Sequence, residues 1–125
     1  MTTTPPVLYG IPNCDTCKRA RAWLEDRGFE HRFHDFKKDG VPGEALDRWL
    51  VTVGWEALLN RQGTTWRKLD EHAKAGVVDT ASARDEMIAH VSLIRRPVIE
   101  WPSGEVTVGF SIELFKHHTA SLATA

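Results

Sequence analysis

Apolar positions in this chain come in short clusters, and their spacing shifts from strand-like to helical and back again. Val7-Leu8-Tyr9 is a brief apolar run that reads as a first strand. A helical pattern is established by Lys18, with Cys17, Ala20 and Leu24 on one face and Trp23 beside them. Asn13 or Cys14 can cap that helix, and Gly28 stands where its C-terminus is expected. His31–Phe36 alternates enough for a second strand. Lys37-Lys38-Asp39-Gly40 reads as a turn, and Pro42 suits the opening of a helix whose apolar stripe is Leu46, Trp49, Leu50 and Val53. Gly54 breaks that stripe.

From Trp55 to His90 the pattern stays helical. Trp55–Leu59 forms a short helix that Gly63 stops. Thr64 or Thr65 caps a segment through Leu69, and Ser82 with Asp85 suggests a capping box ahead of Met87, Ile88 and Val91. Pro97–Trp101 then gives a strand signal, Ser103-Gly104 a turn, and Val106-Thr107-Val108 a partner strand for a hairpin. Ser111 can cap a last amphipathic helix carrying Ile112, Leu114 and Phe115. Residues 119–125 are small and polar and read as a disordered tail. The order β-α-β, helices, β-β-α predicts one α/β domain over residues 1–125. Removing a helical insertion at about 42–90 leaves a thioredoxin-like four-stranded mixed sheet with helices on both faces.

Composition narrows the function without naming it. At 125 residues, with 42% hydrophobic and 26% charged residues, the chain has the profile of one soluble globular domain. A net charge of −1 with interspersed signs gives no basic surface, so direct nucleic-acid binding is not expected. No apolar run is long enough to span a bilayer, and the first residues lack the pattern of a signal peptide, so a cytoplasmic location is expected. Six histidines are scattered in ways that do not complete a metal site with two cysteines, and no metal is expected. The five tryptophans read as core.

The chemistry concentrates at Cys14 and Cys17, which are the chain's two cysteines and sit at a strand-to-helix junction. Free N–H groups and the positive end of the helix dipole favour an anion there, and the thiolate is the reactive form of cysteine. Lys18 and Arg19 add positive charge close by. A Cys-x-x-Cys beside a β-α-β pattern reads as a thioredoxin-like redox-active centre. Cys14 is the expected nucleophile. Cys17 is left with two roles, a resolving thiol or a core residue.

Four segments, Tyr9–Ala20, Gly54–Leu69, Ile94–Pro97 and Val108–Ser111, together resemble the arsenate reductase (ArsC)-like family that includes the Spx regulators and the YffB proteins, with the YffB branch nearest. The resemblance runs from about Leu8 to Phe115 and implies a thioredoxin-like sheet interrupted by helices. It places the family's nucleophile on Cys14 and its Arg-Pro pair on Arg96-Pro97, with the proline cis and Arg96 reaching the thiolate. It puts Asn60 and Arg61 near another arginine of the family's anion site, with Lys18, Asn13 and Pro97 completing the substrate-binding set. The third arginine of the arsenate reductases would fall near Gly109-Phe110 and is absent. So is the histidine that precedes their cysteine, in the stretch held by Gly10.

These departures favour a cytoplasmic thiol–disulfide oxidoreductase, a glutathione-dependent thiol reductase with glutathione as co-substrate and no bound cofactor. Two alternatives accompany it. One is a glutaredoxin-coupled arsenate reductase. The other is an Spx-like redox-sensing regulator that binds RNA polymerase and uses Cys14 and Cys17 as a switch.

Overall fold

In a computed structural model of the chain, which describes residues 4–120 and 122, the elements follow the predicted order with adjusted boundaries. They are β1 (Val7–Gly10), α1 (Asp15–Asp26), β2 (Arg32–Asp35), α2 (Phe36–Asp39), α3 (Gly43–Val53), α4 (Trp55–Leu58), α5 (Thr64–Lys68), α6 (Glu71–Ala75) and α7 (Thr80–Ala89). A 3₁₀ turn at Val91–Leu93, β3 (Val98–Glu100), β4 (Val106–Val108) and α8 (Ile112–Thr119) complete the chain. Two compact units result: residues up to Asp39 together with those from Arg96 onward, and Gly40–Arg95.

The first unit holds a four-stranded mixed sheet in the order β2-β1-β3-β4. β1 runs parallel to β2 and antiparallel to β3, which pairs antiparallel with β4. Leu8 lies opposite Phe33 on one side and Ile99 on the other, so one apolar layer crosses three strands. Leu8 and Ile99 join Ala20, Trp23 and Leu24 of α1, Trp101, and Phe115 of α8 in a single core cluster. Phe115 meets Trp23, Trp101 and Phe110 edge-on, with ring centroids 4.7 to 5.7 Å apart, an orientation that the aromatic quadrupole favours. This is an α/β, thioredoxin-like fold.

Local chemistry sets the element ends. α1 stops in a Schellman arrangement: Gly28 N–H donates to Glu25 O (3.0 Å) and Phe29 N–H to Leu24 O (2.9 Å). Gly28 takes φ +76°, a value that costs glycine little. Ser111 caps α8 by accepting from Leu114 N–H at 3.1 Å, as expected. α1 begins at Asp15, a turn before the Lys18 position read from the pattern, with Cys14 as its cap. Phe36, expected to end β2, instead opens α2, because the Asp35 carboxylate accepts from Lys37 N–H (2.9 Å) and turns the chain. Ile112 faces solvent, while Thr119 is not tail but the buried last residue of α8, its hydroxyl donating to Phe115 O (2.6 Å). Residues 121 and 123–125 of the expected tail lie outside the described residues.

The second unit is helical. Leu46, Trp49 and Leu50 of α3 are buried with Leu58, Ala83, Met87 and Leu93, and α3, α4 and α7 pack on one another. An isolated bridge between Leu59 and Ile94, with Arg95 N–H donating to Leu58 O (2.8 Å), ties the end of α4 to the unit's last residues. The capping box of α7 sits three residues earlier than predicted. Asp79 is the cap, accepting from Ser82 N–H, and the Ser82 hydroxyl serves the Asp79 N–H in return. α5 is capped by Gly63 rather than by Thr64 or Thr65.

Candidate active site

β1 delivers the chain to the start of α1, and Cys14 occupies the N-cap in an extended conformation (φ −144°, ψ 118°). Its carbonyl begins the helix by accepting from Lys18 N–H at 2.9 Å. Cys14 is half-buried, whereas Cys17, at the third helical position, is 1% exposed. Both cysteines are free thiols.

Their surroundings push the two thiols apart. Burial is the largest single influence on Cys14 and favours its neutral form. The backbone N–H and thiol of Cys17, together with the hydrogen bond and charge of Arg96, outweigh it and lower the Cys14 pKa. The Cys14 side chain does not accept a cap hydrogen bond; these donors act on its charged form. Cys17 goes the other way. Burial first, then the neighbouring Cys14, push it up to about 12, and the Ile11 N–H offsets only part of this. At neutral pH Cys17 therefore keeps its proton, and Cys14 is the thiol disposed to ionise.

Arg96 reaches the thiol from the strand-opening segment. The Arg96-Pro97 peptide is cis, as the resemblance implies, and Pro97 is buried with its carbonyl accepting from Gly109 N–H (2.8 Å). Arg95, one residue earlier, is exposed and does not act on Cys14. Lys18 is exposed in the first turn of α1, and Asn13 is exposed just before the cap.

Asn60 and Arg61 belong to the second unit. Asn60 forms a turn, its side chain accepting from Gln62 N–H (3.0 Å) and its own N–H donating to Leu93 O (2.7 Å). The Arg61 guanidinium lies over the rings of Trp55 and Trp66, 5.3 and 5.9 Å from their centroids. Trp55 and Trp66 are thus half-buried platforms for a cation rather than core residues, while Trp23, Trp49 and Trp101 are buried as expected.

Gly10 is the residue whose part sequence reasoning missed. A Cβ at this position would stand 2.5 Å from the Cys17 sulfur. A glycine ending a strand next to a Cys-x-x-Cys was the available signal, since strand glycines mark close approaches. Among the described residues, no group of three or more His, Cys, Asp or Glu is placed to hold a metal ion, and no helix is long and apolar enough to cross a membrane.

A cysteine at a helix N-terminus, facing an arginine beside a cis-proline in a thioredoxin-like sheet, defines a class of thiol-centred proteins. Comparison gives the family: residues 9–117 match the model of the ArsC family, and this chain belongs to it. The solved YFFB (PA3664) protein is 46% identical, with a TM-score of 0.85 over 90% of this chain and 97% of that one. An arsenate reductase (ArsC)-related protein of Brucella melitensis is 49% identical, with a TM-score of 0.73 over 94% and 97% of the two chains. An uncharacterized protein of Haemophilus influenzae is 39% identical over 83% of this chain and 90% of its own. Within the family, the chain stands near the YffB proteins.

Proposed function

We propose that this protein is a thiol–disulfide oxidoreductase that reduces glutathione mixed disulfides, with Cys14 as its nucleophile. The observation that carries this reading is the half-exposed Cys14 thiol at the α1 N-terminus, lowered in pKa by Cys17 and Arg96. A cysteine attacks disulfide sulfur through its thiolate, fastest when its pKa is lowered toward ambient pH.

The Cys14 thiolate attacks the glutathione sulfur of a mixed disulfide R–S–S–G. A Cys14–glutathione disulfide forms, and the R–S⁻ leaving group departs with the electron pair and takes a proton from water. A second glutathione, as thiolate, attacks the glutathione sulfur of that intermediate. Glutathione disulfide leaves and the Cys14 thiolate returns. The net reaction, R–S–S–G + GSH → R–SH + GSSG, draws its two electrons from glutathione and needs no resident cofactor. Glutathione's carboxylates match Arg96 and the α1 N-terminus, with Lys18, Asn13 and Pro97 beside them in the chain. The reducing cytoplasm, where exchange-active thiols stay free, is the compartment that suits this chemistry.

The test is turnover of a glutathione mixed disulfide with glutathione, coupled to consumption of the glutathione disulfide formed. Wild type is expected to turn over and Cys14→Ser to be inactive. Wild type without turnover that captures purified RNA polymerase would overturn the proposal in favour of an Spx-like regulator.

A further inference from the structure

The tryptophans of the second unit are of two kinds. Trp49 is buried, whereas Trp55 at the start of α4 and Trp66 in α5 keep part of their indoles in water. Large apolar rings left in water forgo much of the gain that drives folding. The exposed Arg61 guanidinium brings the two rings into one patch, 5.3 Å from the Trp55 centroid and 5.9 Å from that of Trp66. Its loop is fixed on both sides. Asn60 N–H donates to Leu93 O (2.7 Å), and the Asn60 side-chain oxygen accepts from Gln62 N–H (3.0 Å). Gly63 lies so near the same amide that a Cβ there would stand 2.9 Å from its nitrogen. Arg61 is therefore presented from an ordered turn, which lowers the ordering cost of binding.

Among the described residues, Arg61 has no carboxylate partner, and neither indole N–H of the patch has an acceptor. The charge around it is mainly positive. From Gly54 to Leu69 the chain carries Arg61, Arg67 and Lys68 against Glu56, all exposed, although its net charge is −1. Lys74, paired with Glu71 at 3.5 Å, brings a further ammonium to 3.4 Å from Arg67 O. Tryptophan and arginine are the residues that most often anchor protein interfaces, and an arginine fork receives a carboxylate through two parallel hydrogen bonds. A nucleic acid would need cations ranged along its phosphates, and interspersed signs with a net charge of −1 do not supply them. At four and five residues, α4 and α5 offer no continuous amphipathic face to a lipid surface. An acidic protein segment fits best.

We propose that the Trp55–Arg61–Trp66 patch is a docking surface for a protein segment that pairs carboxylates with apolar side chains. One carboxylate takes the Arg61 fork, an apolar side chain covers the half-exposed indoles, and Arg67 and Lys68 attract further acidic residues. The inference concerns the second unit alone and does not depend on the chemistry of Cys14.

The experiment is isothermal titration calorimetry on the full chain with a synthetic amphipathic peptide of glutamate and leucine, amidated at its C-terminus. A peptide with lysine in place of glutamate, an oligothymidylate, and phosphatidylserine–phosphatidylcholine vesicles are titrated alongside. Wild type should bind the glutamate peptide, more weakly as salt rises. Arg61→Ala should weaken this by about ten- to a hundredfold, the scale of one lost charge-assisted hydrogen bond. Arg61→Lys, which keeps the charge and loses the fork, should fall between the two. Trp66→Ala should weaken binding by about tenfold, and circular dichroism checks that it folds. Should it not fold, the exposed Arg61 variants carry the test. Arg32→Ala, the loss of an exposed charge on β2, should stay within about twofold of wild type. A wild type that does not bind the glutamate peptide overturns the proposal, and so does an Arg61→Ala protein that binds as Arg32→Ala does. Tighter, Arg61-dependent binding of the lysine peptide, the oligothymidylate or the vesicles overturns the acidic protein segment as the occupant.

Discussion

At the scale of single residues, the site is an arrangement of donors around one sulfur. Burial alone would hold Cys14 neutral, and Arg96 is one of the two residues that reverse this. Arg96→Ala removes both a hydrogen bond to the thiolate and a full positive charge. An opposite charge nearby lowers an acid's pKa, so its loss should raise that of Cys14, by about one unit. Alkylation at pH values well below the wild-type midpoint should then slow by about tenfold, since there the thiolate fraction falls by about a decade per unit. Labelling rates measured across pH, with circular dichroism as the control for folding, check this. An unchanged profile would return Arg96 to an ordinary surface arginine. Arg95→Ala is the matched control, because Arg95 is exposed and does not act on the thiol.

At the scale of elements, α8 is fastened to the β3–β4 hairpin by an aromatic seam that contains a titratable ring. His118 stacks on Trp101 with centroids 5.0 Å apart and an interplanar angle of 14°. Its Nδ1 lies 3.7 Å from Glu105 Oε2, and Trp101 Nε1–H donates to Thr107 Oγ1 at 2.9 Å. Burial lowers the His118 pKa below its usual 6.5, and His117 adds to this, while Glu105 opposes it. The folded state therefore favours neutral His118. Its contribution is fully present above about pH 6.5 and is lost as pH falls through the depressed folded value. His118→Phe keeps a ring against Trp101 but cannot titrate. Between pH 7.5 and 5 wild type should lose more of its urea midpoint than this variant. His31, also lowered by burial, is common to both proteins and cancels in the comparison. Parallel losses would clear His118 of any part in acid sensitivity.

At the scale of the whole molecule, the question is which anion the site serves. The position where the family's arsenate reductases are expected to carry a third arginine is held by Gly109 and Phe110. Gly109 takes φ +85°, where an arginine would be strained, and its N–H is committed to Pro97 O. Phe110 packs edge-on against Phe115, with centroids 4.7 Å apart. Both places are used by the fold. A charge-assisted hydrogen bond contributes about 1.5–3 kcal/mol, so one missing donor should weaken oxyanion binding by about ten- to a hundredfold. Under a matched thiol supply, a glutathione mixed disulfide should accordingly turn over faster than arsenate. Saturable arsenate reduction at micromolar substrate would reverse that ranking and move the protein to the arsenate reductases.

The sequence by itself determined what depends on local patterning and residue type. Four strands, the helical stretch between the second and third, Ser111 as a cap, and Cys14 at a strand-to-helix junction were all legible from spacing. The Arg-Pro pair was legible only through resemblance, because no local rule singles out one arginine of two. Boundaries shifted where a side chain made a bond that spacing does not encode, as Asp35 did in turning Phe36 out of β2 and Asp79 did in starting α7 early. Tertiary structure alone decided the difference between the two thiols. Three residues apart on one helix, they carry the same side chain. Yet β1 presses Gly10 against one sulfur while Arg96 arrives, from the far end of the chain, beside the other. A thiol's acidity is set by its burial and by the charges around it, and a linear sequence records neither until distant segments are packed together.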